Sequence, residues 1–235
     1  MTLFDEPAFM KPMHPKGDVI VFGKSPDLEA SDAATGVARF GGLWRTPSYF
    51  NAYFRSAEIL IEYASQHNIL DDIALPAFYL QRHSVELLIK RLLSWLYETA
   101  AFRAELGHTS PAPPSAQQKK DLKRSHNLLR LLANLRFASS ASGLPDPPTE
   151  LADLVRCIGE FEKSDTWSRY ADSEKKDGGI VHHIDKEVVV PLVDFQRRLE
   201  VVVTRTAYRF DGDDAYENEL YFAWESAARA TGRAG

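Results

Sequence analysis

The chain has 235 residues, with 28 Lys+Arg against 33 Asp+Glu, 44% hydrophobic residues, 26% charged residues and one cysteine. That balance sits near the globular average and excludes a disordered tail or a fibre. A formal net charge of -5 excludes a surface built throughout to coat nucleic acid, while leaving room for a local basic patch.

A single cysteine cannot form an internal disulfide, and no segment nears the ~20 apolar residues of a spanning helix. The expected setting is therefore soluble, reducing and cytoplasmic, without membrane association. Residues 1–16 hold Asp, Glu and prolines without an apolar run, so they do not read as a secretory signal. Residues 1–45 are punctuated by Pro7, Pro12, Pro15, Pro26, Gly17, Gly23, Gly36, Gly41 and Gly42 and are expected to form an irregular arm. Only 18–22 reads as a short strand. Phe22, Phe40 and Trp44 suit an arm that lies on the body or on a partner.

Regular structure is expected to begin at Thr46-Pro47, a cap followed by proline at the first helical position. Phe50, Tyr53, Phe54, Ala57, Leu60, Ile61 and Ala64 then recur at spacings of three and four, an amphipathic helix ending near His67 and Asn68. A second helix over about 72–106 opens with acidic residues, and Pro76 can shift its start by a turn. Phe78, Val85, Leu88, Leu92 and Trp95 form its stripe. Leu80, Leu87, Ile89, Leu93 and Leu96 widen it, which predicts a central helix with neighbours on more than one side.

Residues 107–118 read as a Pro/Ser/Thr loop. Ser125 can cap a third helix over 127–137, and a connector over 138–148 leads to a fourth helix from Thr149 to about Lys163. Residues 165–179 are polar and end in Gly178-Gly179, which predicts an exposed loop. A fifth helix is expected over about 185–208, where Val188, Leu192, Phe195, Leu199 and Val202 recur in heptad fashion; Pro191 is tolerable only if that helix starts late. A short final helix over 215–230 follows the acidic turn 211–214. These elements predict an all-α, antiparallel four- to six-helix bundle: arm 1–45, bundle 46–210, C-terminal helix and tail 211–235.

The most informative stretch lies in the second helix. His83, Glu86 and Lys90 stand at i, i+3 and i+7, and Arg82 with Glu86 and Lys90 forms an i, i+4, i+8 row beside them. This polar ladder has two readings. It is either a set of ion pairs that fixes helix packing or solvates a face, or a seam facing a cleft or a subunit, where its charges could hold phosphate. Downstream, Lys119, Lys120, Lys123, Arg124, Arg130 and Arg136 face a single acid, Asp121, and His126 stands among them at a helix start. Such a basic edge on an acidic protein is a candidate RNA or phosphate footprint.

The run Tyr79-Leu80-Gln81-Arg82-His83-Ser84-Val85-Glu86-Leu87-Leu88-Ile89-Lys90, followed by Ser125-His126-Asn127-Leu128, resembles the HEPN superfamily of helical domains. A further echo is Asp165-Thr166-Trp167-Ser168-Arg169-Tyr170. The resemblance spans about 46–199. It implies an up-and-down helical bundle, frequent homodimers and, in many members, metal-independent RNase activity in toxin–antitoxin, CRISPR-associated and phage-defence settings. That activity is tied to an arginine, four to six intervening residues, and a histidine, supplied by two protomers. Arg103 through His108 matches with four residues between. Here Ala104 replaces the polar residue usual after the arginine, and the motif ends the second helix rather than entering a late one.

On this basis the expected partners are a second copy of the chain, joined through the long second helix, and RNA or nucleotide; a larger protein partner is the alternative. In this reading His126 or His83 handles the proton, Glu86 orients a histidine or lysine, and Arg82, Lys90, Lys123 and Arg124 hold phosphate, while the resemblance adds Arg103 and His108 as a candidate catalytic pair. No cofactor or metal is expected. His182-His183 with Asp185 lacks a third ligand at diagnostic spacing. Cys157 reads as core or near-core, and 211–214 resembles a calcium loop in composition only. Trp167, Arg169 and Tyr170 read either as base-stacking groups or as a loop anchor.

Overall fold

The computed structural model describes residues 24–40, 49–162, 172–174, 179–182, 184, 186–207 and 215–233. The chain divides into two compact units, 1–48 and 49–235. The strand expected at 18–22, the Thr46-Pro47 cap, the Asp165 to Tyr170 echo, His183, Asp185 and the acidic turn 211–214 lie outside the described residues.

In the first unit, the stretch expected to be irregular carries a helix, α1 (Pro26–Thr35). Its ends explain it. The Ser25 hydroxyl accepts from the Leu28 N–H, Pro26 occupies the first turn, and Gly36 closes the helix at φ 68. Asp32 is buried here against Lys24 at 2.8 Å and Arg39 at 2.7 Å. Hydrogen bonds from Arg39 and Lys24 hold its carboxyl well below the usual range.

The second unit is built from α2 (Tyr49–His67), α3 (Leu70–Glu105), α4 (Ala116–Arg124), α5 (Leu128–Ala141), α6 (Thr149–Phe161), α7 (Leu192–Thr206) and α8 (Tyr216–Ala230). A ribbon joins β1 (Asp172–Glu174) to β2 (Ile180–His182), antiparallel, with Ser173 opposite Val181. The fold is all-α, as expected. Part of the loop predicted over 165–179 is strand instead, and the helix expected from 185 begins only at Leu192, immediately after Pro191.

Asn68, at φ 57, turns the chain from α2 into α3 and makes the two a helical hairpin. α3 is the central rod. It packs on α2, α4, α5, α7 and α8, while α6 closes the bundle against α5 and α7. Val85, Leu88, Ile89, Leu92 and Leu93 are fully buried, each worth about 1.5–3 kcal/mol of burial. They meet Leu131 and Leu135 of α5, Leu151 and Ile158 of α6 and Leu199 of α7 in one core. Phe78 and Phe161 each meet Phe195 edge-on at one end, at 5.8 and 5.4 Å, and lie tilted to each other at 6.4 Å. From 77 to 97 no residue of α3 is exposed, and its half-buried positions, among them Tyr79, His83, Lys90 and Arg91, are what this stretch presents to solvent.

α4 is absent from the sequence reading. It is nearly devoid of apolar residues and stands on its capping box: the Ser115 hydroxyl accepts from the Gln118 N–H, and the Gln118 side chain accepts from the Ser115 N–H. Ser125 ends this helix, and Asn127, not Ser125, caps α5 through the Arg130 N–H at 2.8 Å.

Candidate functional site

Gln81 and Ser84 fix α3 at the level of the polar ladder. The Gln81 amide donates to the Leu192 carbonyl of α7 at 2.9 Å, and the Ser84 hydroxyl to the Phe50 carbonyl of α2 at 2.9 Å. Between them the ladder turns inward. Arg82 is 2% exposed and Glu86 1%, a placement tolerated only when every charge is matched.

Arg82 is matched three ways. Its Nε donates to Glu162 Oε1 at 2.5 Å, its Nη1 to Glu86 Oε2 at 2.5 Å, and its Nη2 to the main-chain carbonyl of His126. One guanidinium thus ties α3 to the end of α6 and to the link between α4 and α5. Burial alone would lower its pKa, but Glu162 and Glu86 outweigh that and raise it.

Glu86 is the hub. Its Oε1 accepts from Lys90 Nζ at 2.8 Å, and His126 Nδ1 lies 3.0 Å from Oε1 and 3.2 Å from Oε2. His83 Nδ1 is 3.9 Å from Oε2, an ion-pair distance rather than a hydrogen bond. Burial disfavours the charged carboxylate, yet His83, Lys90 and Arg82 more than compensate and hold its pKa well below the ordinary value. An anionic Glu86 selects the Nδ1–H tautomer of His126 and leaves the Nε2 lone pair on the far side of the ring. That ring is 36% exposed and Lys90 15%, so the buried hub opens to solvent through these two groups. Beside them His83 stacks on Tyr79 at 5.4 Å and meets Tyr53 edge-on at 4.5 Å.

Among the residues expected to act together, Arg82, His83, Glu86, Lys90 and His126 do converge. Arg82 is 2% exposed and bonded to Glu162, Glu86 and the His126 carbonyl inside the fold, which makes it a positioning residue rather than a surface phosphate binder. Lys123 and Arg124 are exposed in the last turn of α4, just ahead of His126. Arg103 and His108 lie elsewhere. Twenty-one residues of helix, roughly 30 Å, separate Arg103 from Arg82. Arg103 Nη1 contacts the Ser142 carbonyl at 3.4 Å and His108 is exposed in the turn beyond α3, so within one chain this pair does not join the hub.

Compared with protein-family models, curated proteins and solved structures, the chain has no significant match to any of them. Its site therefore stands on its own geometry.

Among the described residues no group of His, Cys, Asp and Glu could hold a metal ion, and His182 is exposed on β2. Cys157 is half-buried with the Arg198 Nη1 3.9 Å from its Sγ. The shallow cleft of about 160 Å³ nearby is lined by Glu150, Asp153, Leu154, Arg198 and Val201. Sequence reasoning missed Glu162, the second carboxylate that a buried Arg82 requires, because nothing local marks it. It also missed Tyr53 and Tyr79 as walls around His83, although their helical faces were legible. No helix of the described residues is long and apolar enough to cross a membrane.

Proposed function

We propose that the protein is an HEPN-like, RNA- or nucleotide-binding component of a prokaryotic defence or toxin–antitoxin type system, and that its phosphate seat is the mouth of the Glu86 hub. One observation carries the reading: His126 is oriented by Glu86 through Nδ1 and by Arg82 through its carbonyl, with Lys90 on the same carboxylate. A carboxylate behind an imidazole fixes the ring and its tautomer, the arrangement a general base needs. Lys90 spends one N–H on Glu86 and has others for a phosphate oxygen.

In the catalytic form of this reading, His126 Nε2 takes the ribose 2′-hydroxyl proton. The 2′-oxygen then attacks the adjacent phosphorus and the bond to the 5′-oxygen breaks, leaving a 2′,3′-cyclic phosphate and a 5′-hydroxyl that takes its proton from solvent water, while His126 returns its own proton to solvent. No metal enters this step. The burial of Arg82, Glu86 and Glu162 favours a second reading, in which the network specifies packing and the chain is a non-catalytic interaction subunit.

Incubating the chain with mixed RNA in EDTA, beside His126→Ala and His83→Ala, separates the two. The catalytic form expects cutting that His126→Ala abolishes and His83→Ala leaves. Intact RNA in every sample rejects it. Binding of a mononucleotide such as AMP, followed by calorimetry with Lys90→Ala and His126→Ala, tests the seat itself; affinity unchanged in both variants would remove it.

A further inference from the structure

The basic edge read from the sequence becomes an organised surface in three dimensions. On α4, Lys119, Lys120, Lys123 and Arg124 are all exposed. Their spacing of i, i+1, i+4 and i+5 sets them on one face, opposite Gln118, Asp121 and Leu122, which turn inward. The lone acid of this region, Asp121, is buried and engaged by Gln117 at 2.8 Å and Arg130 at 2.7 Å, so it does not offset the cations.

α5 adds a different element. Its inner face buries Leu128, Leu131, Leu132 and Leu135, whereas Leu129, Ala133 and Phe137, at i, i+4 and i+8, form an outer ridge with Leu129 and Phe137 59% and 67% exposed. Arg136 and Arg130 flank that ridge on either side by their helical positions, and both are exposed. Leucine and phenylalanine thus stand exposed between arginines on this face. The link between the two helices, Ser125 to Asn127, contains His126 itself.

We propose that the outer faces of α4 and α5 form a shelf that holds single-stranded RNA, with the α4 cations on successive phosphates and Phe137 under an unpaired base, and that it leads the strand to His126. Cations matched to a backbone and an exposed aromatic ring form the combination that single strands use, since every base has a face to stack while a duplex has none free. The shelf rests on the proposed function for the choice of RNA, but its residues differ from those of the hub.

The test measures anisotropy of a labelled 12-nucleotide RNA over a salt series. It compares the full chain, a variant with Lys119, Lys120, Lys123 and Arg124 all changed to serine, and Phe137→Ser. A 12-base-pair RNA duplex and polyglutamate serve as competitors, and AMP binding is followed in parallel. The fourfold variant should lose on the order of a hundredfold in affinity at 0.1 M salt, and its salt slope should fall by about 3. Phe137→Ser should lose roughly tenfold without altering that slope. AMP binding should persist in Phe137→Ser.

Affinity of the fourfold variant within twofold of the parent overturns the shelf. So does duplex or polyglutamate competing as well as single-stranded RNA, which would make the face a duplex or acidic-protein surface. A change of oligomeric state on Phe137→Ser, with RNA affinity intact, would instead assign the ridge to a second copy and also overturn it. Failure of AMP binding alone would strike the hub and leave the shelf standing.

Discussion

Glu86 and Glu217 are two carboxylates sunk against the same helix, and they teach opposite lessons. Glu217, reaching in from α8, is fully buried; its Oε1 accepts from Arg91 Nε at 2.5 Å and Trp95 Nε1 at 2.8 Å. Its donors pack on aromatic rings: the Arg91 guanidinium, on a side chain 34% exposed, lies over the Phe50 ring at 5.3 Å, and Trp95 meets Tyr221 and Trp224 edge-on. Glu86 is equally buried, but two of its donors, His126 and Lys90, keep a side toward solvent. Burial and ion pairing alone therefore say nothing about chemistry. What separates the two is the imidazole: His126 brings a ring nitrogen with a lone pair to the surface, whereas Arg91, 34% exposed in the other network, offers donors only.

The sharpest way to break the comparison is to remove a cation from each network. Arg82→Ala leaves Glu86, Glu162 and the His126 carbonyl without their shared donor, and should cost about 3–5 kcal/mol. At this chain length that lowers the midpoint of thermal unfolding by roughly 10 °C or more. Arg91→Ala removes a donor from Glu217 and exposes less uncompensated charge, because Trp95 remains; about 2 kcal/mol is expected. Thermal melts of both variants decide it. Equal losses would mean that the Arg82 network is no more tightly constrained than its counterpart.

Glu86→Gln probes the electrostatics rather than the shape. Because the folded protein depresses the Glu86 pKa below its ordinary 4.5, the ionised carboxylate stabilises the fold above that value and this contribution is lost as pH falls through and below it. The parent should thus lose more stability than the variant between neutral pH and about pH 3, by on the order of 1–2 kcal/mol. Denaturant midpoints across that range measure the difference. Parallel curves would show that Glu86 titrates alike in the folded and unfolded chains.

His126→Asn should cost less than 1 kcal/mol, since a half-exposed ring is replaced by a side chain that can still donate to Glu86. Yet under the proposed function it removes the group that moves the proton. A stable variant that retains full RNA cutting would turn the hub into a second staple.

How far these networks were legible depends on sequence distance. α2, α3, α5 and α6 show in the sequence because their apolar residues repeat at helical spacing, and Arg82, Glu86 and Lys90 are neighbours on one such helix. His126 was found through its local setting among basic residues. Glu162 joins Arg82 across 80 positions and Glu217 joins Arg91 across 126, and tertiary packing alone brings them in. The burial of Arg82 was equally hidden, since an i, i+4 pair looks the same on a wet face as in a core. α4 carries almost no apolar signal, but Ser115 with Gln118 three residues on is a capping-box pattern that could have revealed it. Ser25-Pro26 and Gly36 likewise bracket α1, where frequent Pro and Gly suggested only irregular chain.

The finest test of the contrast is Trp95→Phe. It deletes the indole N–H from Glu217 while keeping an aromatic ring near Tyr221 and Trp224. Arg91 remains on the same oxygen, so the carboxylate stays charged and matched, and a loss of about 1 kcal/mol is expected. Because Trp95 bonds none of the hub residues Arg82, Glu86, Lys90 and His126 in the network described, AMP and RNA affinities should not change. A binding defect in this variant would mean that the two networks communicate along the central helix, and the division between staple and site would have to be redrawn around α3 as a whole.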